Sequence, residues 1–148
     1  MRIAVKYGLS ITLVVVLWVL LTHFLYPLAP ESKANILAPI LFNLAAIVAL
    51  YLGIKASADK RELNFKQGIK TGVNISLVYG LSSCLFFLIV FLIVGPRLMD
   101  NEPMAQNYPM WQAALGAFAG MFFGALILGL IYSTVISLLL VRSQKGLT

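Results

Sequence analysis

The sequence predicts an all-α integral membrane protein, a four-helix bundle that crosses a bilayer as two in-out hairpins. Hydrophobic residues make up 61% of the 148 residues and charged residues only 11%, against about 25% charged residues in a soluble domain. Four apolar runs reach the length of about 20 residues that a membrane span needs. They cover about 7–26, 36–54, 72–94 and 111–141. We therefore expect residues 1–148 to form a single transmembrane domain.

Basic residues in the loops predict the orientation of these spans. Nine of the eleven Lys and Arg residues fall on one side of the predicted membrane, and Lys33 and Arg97 fall on the other. The nine are Arg2, Lys6, Lys55, Lys60, Arg61, Lys66, Lys70, Arg142 and Lys145. Short loops rich in Lys and Arg stay in the cytoplasm. Both termini and the loop at about 55–70 are thus expected to be cytoplasmic, in a bacterial inner membrane.

The first two spans are apolar helices with few polar residues. The first follows Arg2 and Lys6, and its length favours a retained helix over a cleaved signal peptide. We interpret His23, at its outer end, as an interfacial residue, with a ligand or proton-relay role as the less favoured alternative. The second span carries Asn43, and an Asn inside a membrane usually forms a hydrogen bond with a neighbouring helix.

The loop after the second span, KASADKRELNFKQGIK, is the most charged part of the chain. Asn64 and Gln67 have the spacing of a capping box, which predicts that the third helix starts near Phe65. The basic residues of this loop are expected to contact anionic lipid headgroups, at about 1 kcal/mol each. A dedicated docking surface for a lipid or a protein is the alternative. These residues are Lys55, Lys60, Arg61, Lys66 and Lys70.

Small residues recur every fourth position in the third and fourth spans. In the third helix, which is predicted to start near Phe65, the small residues occupy the inner half, whereas the outer half, CLFFLIVFLIV, is bulky; they are Gly68, Gly72, Ser76 and Gly80. In the fourth span the stripe changes phase between Gly116, Gly120, Gly124 and the later set Gly129, Ser133, Ser137. Small residues at this spacing let membrane helices bring their backbones close together.

The fourth span is too long for a single perpendicular crossing. Residues 111–141 would extend about 46 Å at 1.5 Å per residue, whereas the hydrocarbon core is about 30 Å thick. We therefore expect a bend near 125–129, where the stripe changes phase, or an extension into the cytoplasm.

The third and fourth spans are sequential, so we expect them to be antiparallel neighbours. The inner stripe of the third should then pack on Gly129, Ser133 and Ser137. The outer glycines of the fourth meet only bulky residues of the third, although each glycine weakens a helix by about 1 kcal/mol relative to alanine. We expect this glycine face to be buried against the first or second helix. A second copy of the chain is the next choice, and a substrate path or lipid contact the last.

Several segments resemble a known family. KYGL at 6–9 opens the first span, YLGIKASADKRELNFKQGIKTG at 51–72 crosses the inner loop, and a glycine-rich span closes the chain. The most specific part is Gly-Ile-Lys at Gly53–Lys55, followed by Phe-x-x-Gly-x-x-x-Gly at Phe65–Gly72. Over nearly the whole chain, these segments resemble the bacterial membrane family catalogued as domain of unknown function 4199. The resemblance implies a four-helix multi-pass protein and brings no functional residues with it.

The residue types speak against enzymatic and transport chemistry. None of the four runs contains Asp, Glu, Lys or Arg, whereas a proton-driven transporter usually carries an ionisable residue within a span. Cys84 is the only cysteine, so neither an intrachain disulfide nor a cysteine metal cluster can form. Serines such as Ser82, Ser83 and Ser133 have no evident base. We predict no catalytic residue, no cofactor and no metal site.

These observations together predict a non-catalytic multi-pass membrane protein with a basic cytoplasmic face. We expect it to act as a partner subunit or a membrane-organising component, with a small-solute transporter or channel component as the alternative. The expected partners are membrane lipids and a second copy of the chain or another membrane protein. With so little chain outside the bilayer, the net charge of +6 does not indicate nucleic-acid binding.

Overall fold

The computed structural model contains four α-helices. They are α1 (Arg2–Leu25), α2 (Ser32–Ala58), α3 (Phe65–Val94) and α4 (Met110–Lys145). The structure describes residues 2–25, 32–58, 64–94 and 109–145, with side chains within 2–22, 37–58, 64–93 and 109–144. All four helices are long and apolar enough to cross a membrane, and no strand occurs in these ranges. The predicted all-α four-helix bundle is therefore confirmed.

The start of α3 is set by the residue before it. The helix begins at Phe65, as the spacing of Asn64 and Gln67 predicts. The carbonyl of Asn64 accepts hydrogen bonds from the backbone N–H groups of Gln67 and Gly68, at 2.9 and 3.0 Å. Asn64 thus occupies the N-cap position, which favours asparagine.

The four helices differ in how many of the other helices they contact. α2 and α3 each contact the three other helices, whereas α1 and α4 barely touch. α3 and α4 share the most extensive interface. α3 therefore separates α1 from α4 on one side of the bundle, and α2 separates them on the other.

The core is concentrated at one end of the bundle. We call this the basic end; it consists of the first turns of α1 and α3 and the last turns of α2 and α4. The buried core residues near it are Ala4, Ile11, Ala49, Leu50, Ile54, Ile75 and Ile136, and Ile54 and Ile75 are 0% exposed. At the opposite end Leu92 and Ile93 are 74% and 78% exposed. Lipid acyl chains would cover this apolar surface, because soluble proteins rarely expose so large an apolar area to water.

α4 is a single long helix. Its 36 residues extend about 54 Å at 1.5 Å per residue, which is longer than the predicted span. The α-helix is uninterrupted through 125–129, so both small-residue stripes lie on one helix. Arg142 is exposed near its C-terminal end, which suits an end that extends beyond the hydrocarbon core.

Candidate functional site

Small residues of α3 and α4 interlock near the basic end. Each glycine of one helix lies against a serine of the other; the pairs are Gly68 with Ser137, Gly72 with Ser133, and Gly129 with Ser76. A Cβ atom built at any of these three glycines would overlap the facing serine. Ser133 and Ser137 are fully buried. The two backbones therefore approach closely, as expected for small-residue helix packing in a membrane.

The same seam continues past the middle of the bundle with larger partners. A Cβ at Gly80 would lie 3.1 Å from the ring of Phe122 and 3.7 Å from the Cβ of Ala125. One turn further, the thiol of Cys84 donates a hydrogen bond to the carbonyl of Phe118 at 3.6 Å. Gly80 and Ala125 continue the register of the glycine–serine pairs, whereas Cys84 meets Phe118, a residue closer to the start of α4 than that register predicts.

At the end opposite the basic end, α4 packs on α3 through alanines. Ala113 and Ala114 are buried, with Phe91 and Phe118 packed against them. The two rings meet edge to face, with centroids 6.3 Å apart and an interplanar angle of 87°. The alanine face of α4 therefore covers the bulky half of α3, and its glycines point elsewhere.

Gly120 and Gly124 face open space. Gly120 is exposed, while Gly116 and Gly124 are half-buried. Among the residues that the structure describes, no atom lies within 4 Å of a Cβ built at Gly120 or Gly124. The expectation that this face is buried against the first or second helix is wrong for these two glycines. The physical reason is that α4 uses its alanines on α3, and α2 lies too far from the glycine face to fill it.

A cavity of about 410 Å³ separates α2 from α4 at this point. One wall is a face of α2 between Ala38 and Leu50, and the other is a face of α4 between Gly120 and Tyr132. α3 and α1 contribute the remaining lining residues, Ser76, Tyr79 and Ile11. Every lining residue is uncharged.

A hydrogen-bonded cluster bridges the two walls of the cavity. The hydroxyl of Tyr132 donates to Oδ1 of Asn43 at 2.8 Å, which confirms the prediction that Asn43 bonds a neighbouring helix. Nδ2 of Asn43 in turn donates to the carbonyl of Pro39 at 2.8 Å. Pro39 lies inside α2, where it removes one backbone donor from the helix. Sequence reasoning did not anticipate Tyr132 as the partner, because 89 positions separate it from Asn43.

Hydroxyl groups also join α1 to α3 and α3 to α2. The hydroxyls of Thr12 and Ser82 form a hydrogen bond of 2.5 Å, and Ser82 donates to the carbonyl of Val78 at 2.7 Å. The hydroxyl of Thr71 donates to Ser57 over a longer distance of 3.4 Å. The bond between Thr12 and Ser82 is uncharged and lies between two apolar helices, where the membrane offers no water as a competing partner.

Exposed basic side chains gather at the basic end. They lie in the first turns of α1 and α3 and near the last turns of α2 and α4; they are Arg2, Lys6, Lys55, Lys66, Lys70 and Arg142. Among the described side chains of the opposite end, none is Lys or Arg. Lys60, Arg61 and the side chain of His23 lie outside the described residues. The basic charges thus come from all four helices and share one end.

The described helices bring no metal-binding group of residues together. Within them, no three His, Cys, Asp or Glu residues are close enough to hold a metal ion.

The hydroxyl of Ser133 donates to the carbonyl of Leu130 at 3.1 Å. The hydroxyl of Ser83 is buried without a hydrogen-bond partner in the described part of the chain.

Four long apolar helices, joined by small-residue packing and uncharged hydrogen bonds, define a membrane protein of the helical-bundle class. The chain belongs to the family described as protein of unknown function (DUF4199), whose model matches residues 6–142. The resemblance found in the sequence is thereby confirmed. No match to the chain is found among curated proteins or among solved structures.

Proposed function

We propose that this protein is a non-catalytic, multi-pass component of the inner membrane whose basic end lies in the cytoplasm and binds anionic lipids. It would act as a partner subunit or a membrane-organising component. The observation that carries this proposal is the gathering of exposed Lys and Arg side chains from all four helices at one end.

The physical basis is the negative potential of the cytoplasmic leaflet. A Lys or Arg near that surface gains about 1 kcal/mol from anionic headgroups. The described basic side chains at this end would together contribute several kcal/mol, which would orient the bundle and enrich anionic lipids around it. Lys66 and Lys70 lie one turn apart in the first turns of α3, and both are exposed, so they are the best-placed pair for a headgroup.

Three hydroxyl groups that bond to carbonyls or to each other support a non-catalytic role. Ser82 and Ser133 donate to carbonyl groups of their own helices, and Thr12 is bonded to Ser82. A nucleophile needs a base within hydrogen-bond reach, and these hydroxyls instead have structural partners.

Single-cysteine labelling tests the orientation. In a Cys84→Ser background, Gln67→Cys and Ser143→Cys place a thiol at the basic end and Gln112→Cys places one at the opposite end; all three positions are exposed. An impermeant maleimide should label only the Gln112 variant in intact cells. The two others should react after the membrane is opened. Labelling of either basic-end position in intact cells would contradict the proposal.

Lipid retention tests the basic end itself. Lys66→Gln with Lys70→Gln removes two charges from that end, and Lys33→Gln with Arg97→Gln removes two from the other predicted side. Native mass spectrometry of protein extracted in mild detergent would measure the retained anionic lipid. Two lysines at about 1 kcal/mol each correspond to a change of up to about 30-fold in affinity. We expect that loss in the first variant and none in the second; equal retention by both would contradict a lipid-binding basic end.

A further inference from the structure

We propose that the cavity between α2 and α4 binds one uncharged membrane lipid through a carbonyl oxygen. This inference goes beyond the proposed function, because it concerns a different part of the molecule and would stand if the basic end bound no lipid.

The size of the cavity suits one small molecule and not a helix. Its volume of about 410 Å³ lies within the range of about 300–1,000 Å³ that is typical of small-molecule sites. A helix about 10 Å in diameter would fill that volume with about one turn of 5.4 Å. The volume therefore matches one chain of a lipid more closely than a helix from a second copy of the chain.

The position of the cavity indicates that its occupant comes from the bilayer. The wall on α4 runs from Gly120 to Tyr132, about 15 to 33 Å along the axis from the start of the helix at Met110. This stretch lies within a helix that is apolar enough to span a membrane. The surrounding solvent is thus the hydrocarbon of the lipids.

The lining residues select an uncharged molecule. No lining side chain is Asp, Glu, Lys or Arg, so a charged group in the cavity would have no counter-ion. Burying an unpaired charge in an apolar medium is far more costly than burying a neutral polar group. Phospholipid headgroups are therefore excluded from the cavity itself.

The polar lining groups require a hydrogen-bond acceptor. The amide of Asn43 has two N–H donors, and the bond to Pro39 uses one of them. Ser76 also lines the cavity, but its hydroxyl lies against Gly129 in the seam with α4, so it is Asn43 that offers a donor to the cavity. A donor left unsatisfied in hydrocarbon costs several kcal/mol. A carbonyl oxygen near Asn43 would accept from its second N–H.

The glycines of α4 provide a surface for the apolar part of this lipid. Because a Cβ built at Gly120 or Gly124 would have no described atom of another helix within 4 Å, a hydrocarbon chain can lie directly against the backbone there.

A second groove of about 410 Å³, between α1 and α2, offers a comparison. Apolar residues such as Leu44 and Val48 dominate its lining, and the hydroxyl-bearing residues there are Tyr7 and Ser10. None of the described lining residues carries a side-chain amide, and the hydroxyl of Ser10 donates to the carbonyl of Lys6 in its own helix.

Two uncharged lipid types carry the required carbonyl, an ester of a diacylglycerol and a ring carbonyl of a prenyl quinone. Dioctanoylglycerol and a decyl-substituted benzoquinone are suitable probes for the two sources, and dodecane is the control without a carbonyl. Binding to the full chain in detergent is measured by the rise in its thermal unfolding temperature, which increases with probe concentration relative to Kd. We expect a saturable rise with at least one carbonyl probe and none with dodecane. The probe with the lower Kd identifies the source.

Three variants make this test specific. Gly124→Leu adds a bulky side chain to the cavity lining at a position where a Cβ meets no described atom within 4 Å, and should weaken binding of the probe by about tenfold or more. Ala119→Leu adds bulk at an exposed position outside the cavity and should bind as the wild-type protein does. Asn43→Leu, which removes the donor, should weaken the carbonyl probe by about tenfold.

Three results would overturn the proposal. The first is that neither carbonyl probe binds the wild-type protein. The second is that Gly124→Leu binds the probe as tightly as Ala119→Leu does. The third is that dodecane binds as tightly as the carbonyl probes, which would show that the polar cluster has no part in binding. A change of oligomeric state in Gly124→Leu without loss of probe binding would assign this face to a second copy of the chain instead.

Discussion

Replacing Gly72 by alanine should push α3 away from α4, whereas the same replacement at Gly124 should leave the bundle unchanged. A Cβ at Gly72 would overlap the Cβ of Ser133 and lie 3.4 Å from its Cα. The overlapping atom is a Cβ, whose position is fixed by the backbone, so that a change of rotamer cannot move it away. Overpacking of this kind costs about 1–3 kcal/mol. At Gly124 the added methyl group meets no described atom within 4 Å, so we expect a change within about 0.5 kcal/mol.

Helix propensity does not reverse this difference. Alanine is favoured over glycine in a helix by about 1 kcal/mol in water. In a membrane, however, helices form before they associate, so the gain is present in both the associated and the separated states. The comparison of Gly72→Ala with Gly124→Ala therefore reports packing, because the two substitutions are chemically identical.

Unfolding in mixed micelles of dodecyl maltoside and sodium dodecyl sulfate, followed by circular dichroism, measures both variants. A swap provides a further control: Gly72→Ser alone should be destabilising, and Gly72→Ser with Ser133→Gly should recover most of the loss, because the side chain has only moved across the seam. Contacting residues show coupling energies of about 0.5–3 kcal/mol. An equal loss in Gly72→Ala and Gly124→Ala, or a swap that recovers nothing, would refute the interlocking of the two stripes.

Three further substitutions test the polar contacts and the lipid-facing surface in the same unfolding assay. Tyr132→Phe removes the donor to Asn43, and should lower the free energy of unfolding by about 0.6 kcal/mol and by no more than about 2; no loss would show that the bond contributes nothing. Thr12→Val keeps the shape but removes the bond to Ser82, and we expect a loss of the same size. Leu88→Trp enlarges a side chain that is 42% exposed, and should change stability by less than about 0.5 kcal/mol. A loss there as large as in Gly72→Ala would mean that the assay reports added bulk at any position.

The helical content and the start of α3 could be predicted from the sequence because both depend on local properties. A run of about 20 apolar residues has one stable form in a bilayer, since a helix satisfies every backbone hydrogen bond within the segment. The N-cap at Asn64 involves only residues three and four positions away. The orientation of the bundle and the lipid contacts of its basic residues stay predictions, which the labelling and retention experiments address.

The four-residue spacing of small residues also predicted which residues of α3 and α4 share a face. Their expected depth in the membrane predicted that the inner halves of these faces meet. The pairing of Gly72 with Ser133 and of Ser76 with Gly129 follows this expectation. Here the inference could succeed because the two helices are sequential and antiparallel, so that position along one helix determines position along the other.

Only the tertiary structure decided the surroundings of the outer glycines. The four-residue spacing of Gly120 and Gly124 states that they lie on one face of α4, but it does not state what lies opposite. That depends on the rotation of α4, which places Ala113 and Ala114 on α3. It also depends on the position of α2, which meets α4 at the Tyr132 to Asn43 hydrogen bond and leaves a cavity beside it. The sequence by itself determined the helices and the residues on each face. The cavity depends on the angles and distances between the helices, and these are set by the contacts of all four helices together.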